Sequence, residues 1–188
     1  MTNDSRDKMV RSAASLIGAR GASATSFSDV LADSGAPRGS IYHHFPEGKA
    51  QLTEDAVRWV TERVLAHQRT YAGTTAAGAL QWFIAMWRQV VVSSKATSGC
   101  VIAGVAVDTP AGDADVMRLV RSSFRAWTSL LAEQLEATGI ARQRAKTIAL
   151  TTLAGMEGAL ILCRAEGNVK PLDAVADELM RLVEAAPA

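Results

Sequence analysis

The sequence predicts an all-α protein of about nine helices, divided near residue 50 into an N-terminal domain of three helices (1–50) and a C-terminal helical domain (51–188). Apolar residues recur at intervals of three and four along most of the 188-residue chain, as they do on one face of a helix. Segments that alternate apolar and polar residues are few, whereas a stable sheet needs several such strands. The boundary is placed inside a long helix because no flexible linker is visible in the sequence.

Local start and stop signals define the first two helices. Met9, Ala13 and Ile17 form an apolar stripe, and Gly21 is placed to end the helix that carries it. Ser26 and Asp29 have the spacing of a capping box, which predicts that a second helix begins at this point. The residues of this second helix that are predicted to face inward are Phe27, Val30 and Leu31.

A third short helix and a long fourth helix follow. The turn at 34–37 contains Gly and Pro and ends the second helix, and the third is predicted over 38–44. Ile41 and Phe45 share one face of the third helix, so we expect both to be buried. A longer helix is predicted to begin near Lys49.

Five more helices are predicted in the C-terminal part. The apolar run 100–107 also resembles a buried strand, but a lone strand would have no partner, and we therefore predict a helix. Pro171 fits the first turn of the last helix, where its missing N–H costs nothing. The predicted bounds of the five helices are 75–94, 99–107, 112–137, 142–165 and 171–185.

Composition and charge restrict the cellular setting and the partners. The net charge of +1 means that any surface for nucleic acid must be basic only locally. Cys100 and Cys163 form no Cys-x-x-Cys pair and are expected to be small buried hydrophobes, and no secretory leader pattern precedes the first helix, so we expect a reduced, cytoplasmic protein. The most apolar stretch, 145–163, contains Lys146 and Glu157, which favours a core or interface helix over a membrane span.

Two short helices joined by a tight turn form a helix-turn-helix pattern, in which the second helix enters the major groove of DNA. The run 39–45, Gly-Ser-Ile-Tyr-His-His-Phe, followed by Lys49 and Leu52, closely resembles the signature of TetR-type transcriptional repressors. The resemblance is close over about residues 6–52, and beyond them only size and helical character agree. It implies a homodimeric repressor that binds a double-stranded DNA operator and holds a small-molecule effector in its C-terminal domain.

Spacing after the motif is similar to one branch of that family. Three residues, 46–48, separate Phe45 from Lys49, where the usual family pattern has two. This spacing, together with Ser-Gly-Cys-Val-Ile-Ala at 98–103, resembles the LmrA/YxaF branch. Members of that branch typically repress genes for drug efflux or detoxification, which implies a mostly apolar effector.

The residue types around the third helix suit DNA. Arg38 can donate two hydrogen bonds to a guanine edge, and Gly39 has no side chain to prevent a close approach. Tyr42 can reach a phosphate or a thymine methyl group, and Lys49 adds charge where helix N–H groups already favour an anion. The predicted DNA-binding residues are Thr25, Ser26, Ser28, Arg38, Gly39, Ser40, Tyr42, His43, His44 and Lys49. For a symmetric dimer the operator is expected to be an approximate palindrome.

The resemblance also implies an effector pocket and a dimer interface. Aromatic and Met side chains suit an adaptable apolar pocket, although they also fill ordinary cores. The predicted effector-binding residues are Trp82, Phe83, Met86, Trp87, Cys100, Met117, Phe124 and Trp127. Small residues allow close helix packing between subunits. The predicted dimer residues are Gly155, Gly158, Ala159, Leu179 and Val183. Glu157, within the same apolar run, needs a partner across the dimer or a place in the pocket.

Two other functions are compatible with parts of the sequence. An architectural DNA-binding protein would share the helix-turn-helix but respond to no effector. A small all-helical enzyme would need a catalytic constellation, and the sequence has no Gly-rich phosphate loop or nucleophile elbow. Asp108, Asp113 and Asp115 lack EF-hand spacing, and the adjacent His43 and His44 diverge on a helix and cannot share a metal. No cofactor and no metal are expected.

Overall fold

The computed structural model describes residues 2–109 and 114–186, and every regular element in these ranges is an α-helix. The predicted all-α class is confirmed. The helices of these ranges are α1 (Thr2–Arg20), α2 (Phe27–Ser34), α3 (Ser40–His44), α4 (Lys49–Arg69), α5 (Ala76–Ser93), α6 (Val101–Asp108), α7 (Ala114–Glu136), α8 (Arg142–Glu166) and α9 (Lys170–Glu184). Residues 112–113, with which the seventh helix was predicted to begin, lie outside the described residues, and Asp113 of the acidic cluster lies there too.

Two helix starts depend on local hydrogen bonds. The third helix begins at Ser40, two residues later than predicted, because Ser40 N–H donates to the Pro37 carbonyl and leaves 38–39 in a turn. The apolar run near residue 100 is helical, as predicted, and Cys100 is the N-cap of α6, with its Sγ 3.5 Å from the Ala103 nitrogen. Both cysteines are buried and neither forms a disulfide, as expected, and burial raises the pKa of the Cys163 thiol.

The described residues pack into two compact units. One contains residues up to 62 together with 100–123, and the other contains 63–99 together with residues from 124 onward. Helices α4 and α7 therefore each contribute to both units. The boundary near residue 50 was placed inside a long helix because the sequence shows no flexible linker, and it stays a prediction.

In the first unit α1 packs against α2, α3 and α6. Met9, Ala13 and Ile17 are buried along its length, as the apolar stripe predicts, and α1 ends at Gly21, whose φ of +88° lies in the region that favours glycine. Arg6 adds a polar tie, because its guanidinium lies 5.5 Å from the centre of the buried Phe45 ring and 2.5 Å from the Asp55 carboxylate of α4. Arg6 of α1 therefore contacts both Phe45, which follows α3, and Asp55 of α4.

In the second unit α8 packs against α5 and α9, and α5 also packs against α9. Gly155 allows the close approach of α8 and α9, because a Cβ added there would lie 3.2 Å from a methyl group of Val175. By length and composition alone, α8 is also apolar enough to cross a bilayer. One side of α8 is buried in this unit, as expected for a core or interface helix.

Candidate nucleic-acid interface

The Asp29 carboxylate lies at the N-terminus of α2, the helix to which it belongs. The Ser26 hydroxyl accepts from the Asp29 N–H at 3.2 Å, and the Asp29 carboxylate accepts from the Ser26 N–H at 2.9 Å, which completes the predicted capping box. Arg20 lies 2.7 Å from the same carboxylate. Hydrogen bonds from the Ser26 hydroxyl and N–H, together with Arg20, lower the pKa of Asp29 to about 2. The Asp29 carboxylate is therefore ionised at neutral pH, and Arg20 balances its charge.

Helix α3 has a buried side and an exposed side. Ile41 is buried in the unit, as is Phe45 directly after the helix, and this confirms the core role predicted for both. Tyr42 and His43 point the other way, and 70% of Tyr42 is exposed. His44 is half-buried, with its ring edge-on to those of His43 and Phe45. The exposed side of α3 therefore presents the ring of Tyr42 and the imidazole of His43 to solvent, while Ile41 and Phe45 fix the helix to the core.

The turn before α3 is open to a partner. Arg38 and Gly39 are exposed, and a Cβ added at Gly39 would meet no atom within 4 Å. The φ of Gly39 is −74°, so neither backbone conformation nor packing within the chain demands glycine there. The Ser40 hydroxyl donates to the Pro37 carbonyl at 2.7 Å and retains only acceptor capacity for another group.

Four more of the predicted DNA-binding residues have hydrogen-bond partners within the chain. Thr25 is buried, and its hydroxyl donates to the Gly21 carbonyl at 2.8 Å, while the Ser26 hydroxyl is engaged in the capping box. Lys49 is exposed, and its Nζ donates to the Ser23 carbonyl at 3.0 Å. Ser28 is exposed on the first turn of α2, with its hydroxyl 3.0 Å from that of Ser26.

The inward orientation predicted for α2 is correct for one residue of three. Val30 is fully buried, whereas Phe27 and Leu31 are half-buried. Val30 is the residue of α2 that the core covers, and Phe27 and Leu31 remain at the edge of the core. They line an open groove of about 620 Å³, whose wall residues are Phe27, Ser28, Leu31, Ala32, Ala36, Arg38 and Tyr42. The sequence pattern marked Phe27 and Leu31 as apolar and gave no sign that they stay accessible.

The structure brings together four of the predicted effector residues. In the second unit the rings of Phe83, Trp87, Trp127 and Phe124 form a chain, with neighbouring centroids 6.4, 5.7 and 5.9 Å apart. Trp82 lies outside this chain and stacks on His67 at 4.9 Å. The Nε1 atom of Trp87 is buried and has no hydrogen-bond partner.

The remaining predicted effector residues are not among the four rings of this aromatic row. Met86 is half-buried on α5, and both Cys100 and Met117 belong to the first unit.

The predicted dimer residues lie on two sides of their helices. Ala159, Leu179 and Val183 are buried within the chain, and Gly155 faces α9 of the same chain. Gly158 is exposed, and a Cβ there would meet nothing within 4 Å. Large apolar side chains that the sequence reasoning missed share the exposed surface of α8. They are Leu150, Ile161 and Leu162. The spacing of Leu150, Ala154, Gly158 and Ile161 is helical and was a usable signal.

Comparison with models of protein families identifies the family of this chain. Residues 10–56 match the model of bacterial regulatory proteins of the tetR family, and residues 76–178 match the C-terminal domain of LmrA/YxaF-like transcriptional regulators. The chain belongs to the TetR family. The resemblance to the LmrA/YxaF branch is confirmed with it.

Relatives within the TetR family align over nearly the whole chain. An uncharacterized HTH-type transcriptional regulator of Mycobacterium tuberculosis, Rv0196, is 40% identical over 95% of this chain and 93% of its own. The HTH-type transcriptional regulator LmrA of Bacillus subtilis is 29% identical over 90% and 91%. A TetR transcriptional regulator from Legionella pneumophila has the same fold, with a TM-score of 0.84, 22% identity and coverage of 93% of this chain and 94% of its own.

Membership of the TetR family establishes the general function. The chain is a DNA-binding transcriptional regulator and not an enzyme, as its relatives in this family are. The exposed side of α3 and the open turn before it lie in the part of the chain that matches the DNA-binding family model.

Proposed function

We propose that this regulator is a cytoplasmic, homodimeric repressor that binds an approximately palindromic operator and leaves it when a small, mostly apolar effector binds. The observation that carries the proposal is the exposed side of α3, where Tyr42 and His43 project from an anchor of buried Ile41 and Phe45. A single helix fits the major groove of DNA, and the exposed Arg38 lies in the turn directly before α3. In this proposal Arg38 and Tyr42 contact base edges, and Lys49 contacts a phosphate.

The exposed surface of α8 supports assembly as a dimer. Leu150, Ile161 and Leu162 are each at least half exposed, beside Gly158, where a second helix can approach closely. Apolar residues grouped in this way on a soluble protein mark an interaction site. A two-fold dimer pairs such a surface with its own copy and presents two recognition helices to successive turns of DNA, which requires an approximate palindrome.

The ring chain of the second unit supports an aromatic effector with a hydrogen-bond acceptor. Phe83, Trp87 and Trp127 offer edges and faces against which a flat molecule packs well. A buried donor without a partner costs about 1–3 kcal/mol, and an acceptor atom on the effector would remove this cost at Trp87 Nε1. Residues 49–62 of α4 belong to the first unit and residues 63–69 to the second, so a ligand that shifts the C-terminal end of α4 can also shift the part that belongs to the DNA-binding unit.

A ligand titration of the operator complex tests the repressor proposal. The operator is first selected by the protein from a random duplex pool. Naphthalene and quinoline then serve as probes of nearly equal shape, of which only quinoline has an acceptor. Quinoline should quench Trp fluorescence and release the DNA at lower concentration than naphthalene, because a ligand shifts an equilibrium only through its differential affinity. Operator binding that no member of a wider aromatic panel relieves would instead favour an architectural DNA-binding protein.

Matched variants locate the effector. Trp127→Ala should impair release more than it impairs DNA binding without ligand, and thermal unfolding shows whether the void has also destabilised the fold. Trp82→Ala is the control, because Trp82 stacks on His67 outside the ring chain. If both variants lose effector-induced release from DNA to the same extent, the effector does not bind at the ring chain.

A further inference from the structure

Hydrogen bonds in each unit join side chains of α4 to side chains of α7, and both of these helices contribute to both units. In the first unit the Thr61 hydroxyl donates to the Ser123 hydroxyl at 2.8 Å. In the second unit Gln68 Nε2 donates to Gln134 Oε1 at 2.5 Å, and Gln134 Nε2 donates to the Gln68 carbonyl at 2.9 Å. Hydrogen bonds between two side chains are a small minority in proteins, so their presence at two places on the same pair of helices indicates a specific attachment.

Burial makes both attachments costly to break. Thr61, Gln68 and Ser123 are buried, and Gln134 is half-buried. A buried polar group that loses its partner destabilises the fold, because water does not replace the lost bond. Gln68 also donates to the Ala79 carbonyl at 3.2 Å and so connects α4 with α5 as well as with α7. A shift of α7 along α4 therefore has to carry α4 with it or to break a buried hydrogen bond.

Spacing along α7 places both attachments on the side of the helix that carries Trp127. Trp127 lies four residues after Ser123 and seven residues before Gln134, and these intervals are close to one and two turns of helix. Seven residues likewise separate Thr61 from Gln68 on α4. One side of α7 therefore holds α4 at both ends of a stretch that contributes Trp127 to the ring chain.

We propose that α7 sets the position of α4 through these two attachments, so that the surroundings of Trp127 and the binding of DNA by the first unit depend on each other. The inference rests on the proposed effector site at the ring chain and assigns Ser123 and Gln134 as positioning residues. A packed helix that is bonded at two points passes a displacement of the stretch between them to both. Because coupling between two sites is reciprocal, operator binding must also change the surroundings of Trp127, and this change is measurable without an effector.

Fluorine NMR of the full chain labelled with 5-fluorotryptophan tests the proposal. The resonance of Trp127 is identified by its absence from Trp127→Phe, and the operator selected from the random duplex pool is added to saturation. Operator DNA should shift this resonance in the wild type. In Ser123→Ala and in Gln134→Leu the shift should be lost, because one attachment of α7 to α4 is missing, although fluorescence anisotropy still detects operator binding by both variants.

Matched variants separate coupling from folding. Ser122→Ala removes the hydroxyl of the neighbouring serine, which is exposed and donates within α7 to the Leu119 carbonyl, and it should retain the wild-type shift. Thr61→Val removes the first attachment from the α4 side at nearly constant volume and should behave as Ser123→Ala does. Gln134→Met replaces Gln134→Leu if thermal unfolding shows that the leucine variant is not folded.

The outcomes distinguish this inference from the proposed function. A Trp127 resonance that does not respond to operator in the wild type overturns the coupling, and so does a full shift in Ser123→Ala or in Gln134→Leu. Loss of the shift in Ser122→Ala would overturn it as well, since that variant keeps both attachments. If quinoline fails to release DNA from the wild type, the proposed effector fails, whereas the fluorine shift still decides the coupling.

Discussion

Two exposed surfaces that contain apolar residues, one in each unit, differ in shape and in their polar surroundings. The groove beside α2 and α3 is concave and has Arg38 and Ser28 in its wall. The α8 surface follows one side of a helix, with Leu150, Ile161 and Leu162 beside small residues. A concave surface with an arginine and a hydroxyl in its wall suits a polar partner such as DNA, whereas an apolar helix side suits another helix. Exposed apolar area alone therefore does not identify a partner. The shape of the surface and the polar residues around it are needed as well.

The largest expected effect comes from the α8 surface. Ile161→Asp should give a monomer, because the carboxylate would be buried without a partner against a second α8. Operator affinity should fall by about 100-fold or more, since the two half-sites are no longer bound by linked heads. Sedimentation equilibrium and anisotropy with operator DNA measure the two quantities.

A control variant shows whether position or charge is responsible. Val92→Asp on α5 also charges an exposed apolar residue of the second unit, 48% of which is accessible, and it should leave both the dimer and the DNA affinity intact. If Ile161→Asp remains dimeric, the α8 surface does not serve the interface that we propose.

The next effect concerns sequence readout at the groove rim. Arg38→Ala should cost about 1–3 kcal/mol of operator affinity and relax specificity at one base pair, because a bidentate contact to guanine is lost. Binding to the operator and to its single-base variants measures both. Unchanged affinity would remove Arg38 from the proposed base-contacting residues.

A smaller effect, independent of sequence, is expected at Lys49. Lys49→Ala should reduce the slope of log K against log salt by about one and lower affinity about fivefold at roughly 0.15 M salt, for operator and random DNA alike. Lys170→Ala removes the same charge from α9 in the second unit and should change neither quantity. A loss confined to operator DNA would show that the bond from Lys49 to the Ser23 carbonyl matters more than a phosphate contact.

The smallest effect is a pH dependence at the start of α2. The pKa of Asp29 is lowered to about 2, so the ionised carboxylate stabilises the fold above about pH 4, and this contribution is lost as the pH falls towards 2. Asp29→Asn lacks that contribution, and the difference in unfolding free energy from the wild type should shrink over this range. Urea unfolding at a series of pH values measures it. A difference that stays constant down to pH 2 would show that the ionisation of Asp29 does not contribute to the stability of the fold.

Features that depend on local chemistry could be predicted from the sequence. The capping box at Ser26 and the end of α1 before Gly21 each follow from a few neighbouring residues. The signature 39–45 identified the family for the same reason, because its residues serve one short helix and its anchor. Such signals need no knowledge of what packs against them.

Features that depend on which side of a helix is covered could not be predicted in the same way. Helix α8 is apolar on several sides, so periodicity alone did not separate the buried Ala159 from the exposed Ile161. On α5, Trp82 and Trp87 have the same residue type, but one stacks on His67 near the surface and the other joins the ring chain. Thr25 was a plausible phosphate contact until its burial and its bond to the Gly21 carbonyl were known.

One long-range hydrogen bond has a consequence for exchanging operator specificity between relatives. The Asp108 carboxylate, at the end of α6, accepts the N–H of Ser23 at 3.0 Å, although the two residues are 85 positions apart. A graft that transfers only α1–α3 from another regulator would place a foreign turn against the resident α6. The transferable module is therefore discontinuous in sequence, and a chimera should carry the donor's α6 together with its first three helices.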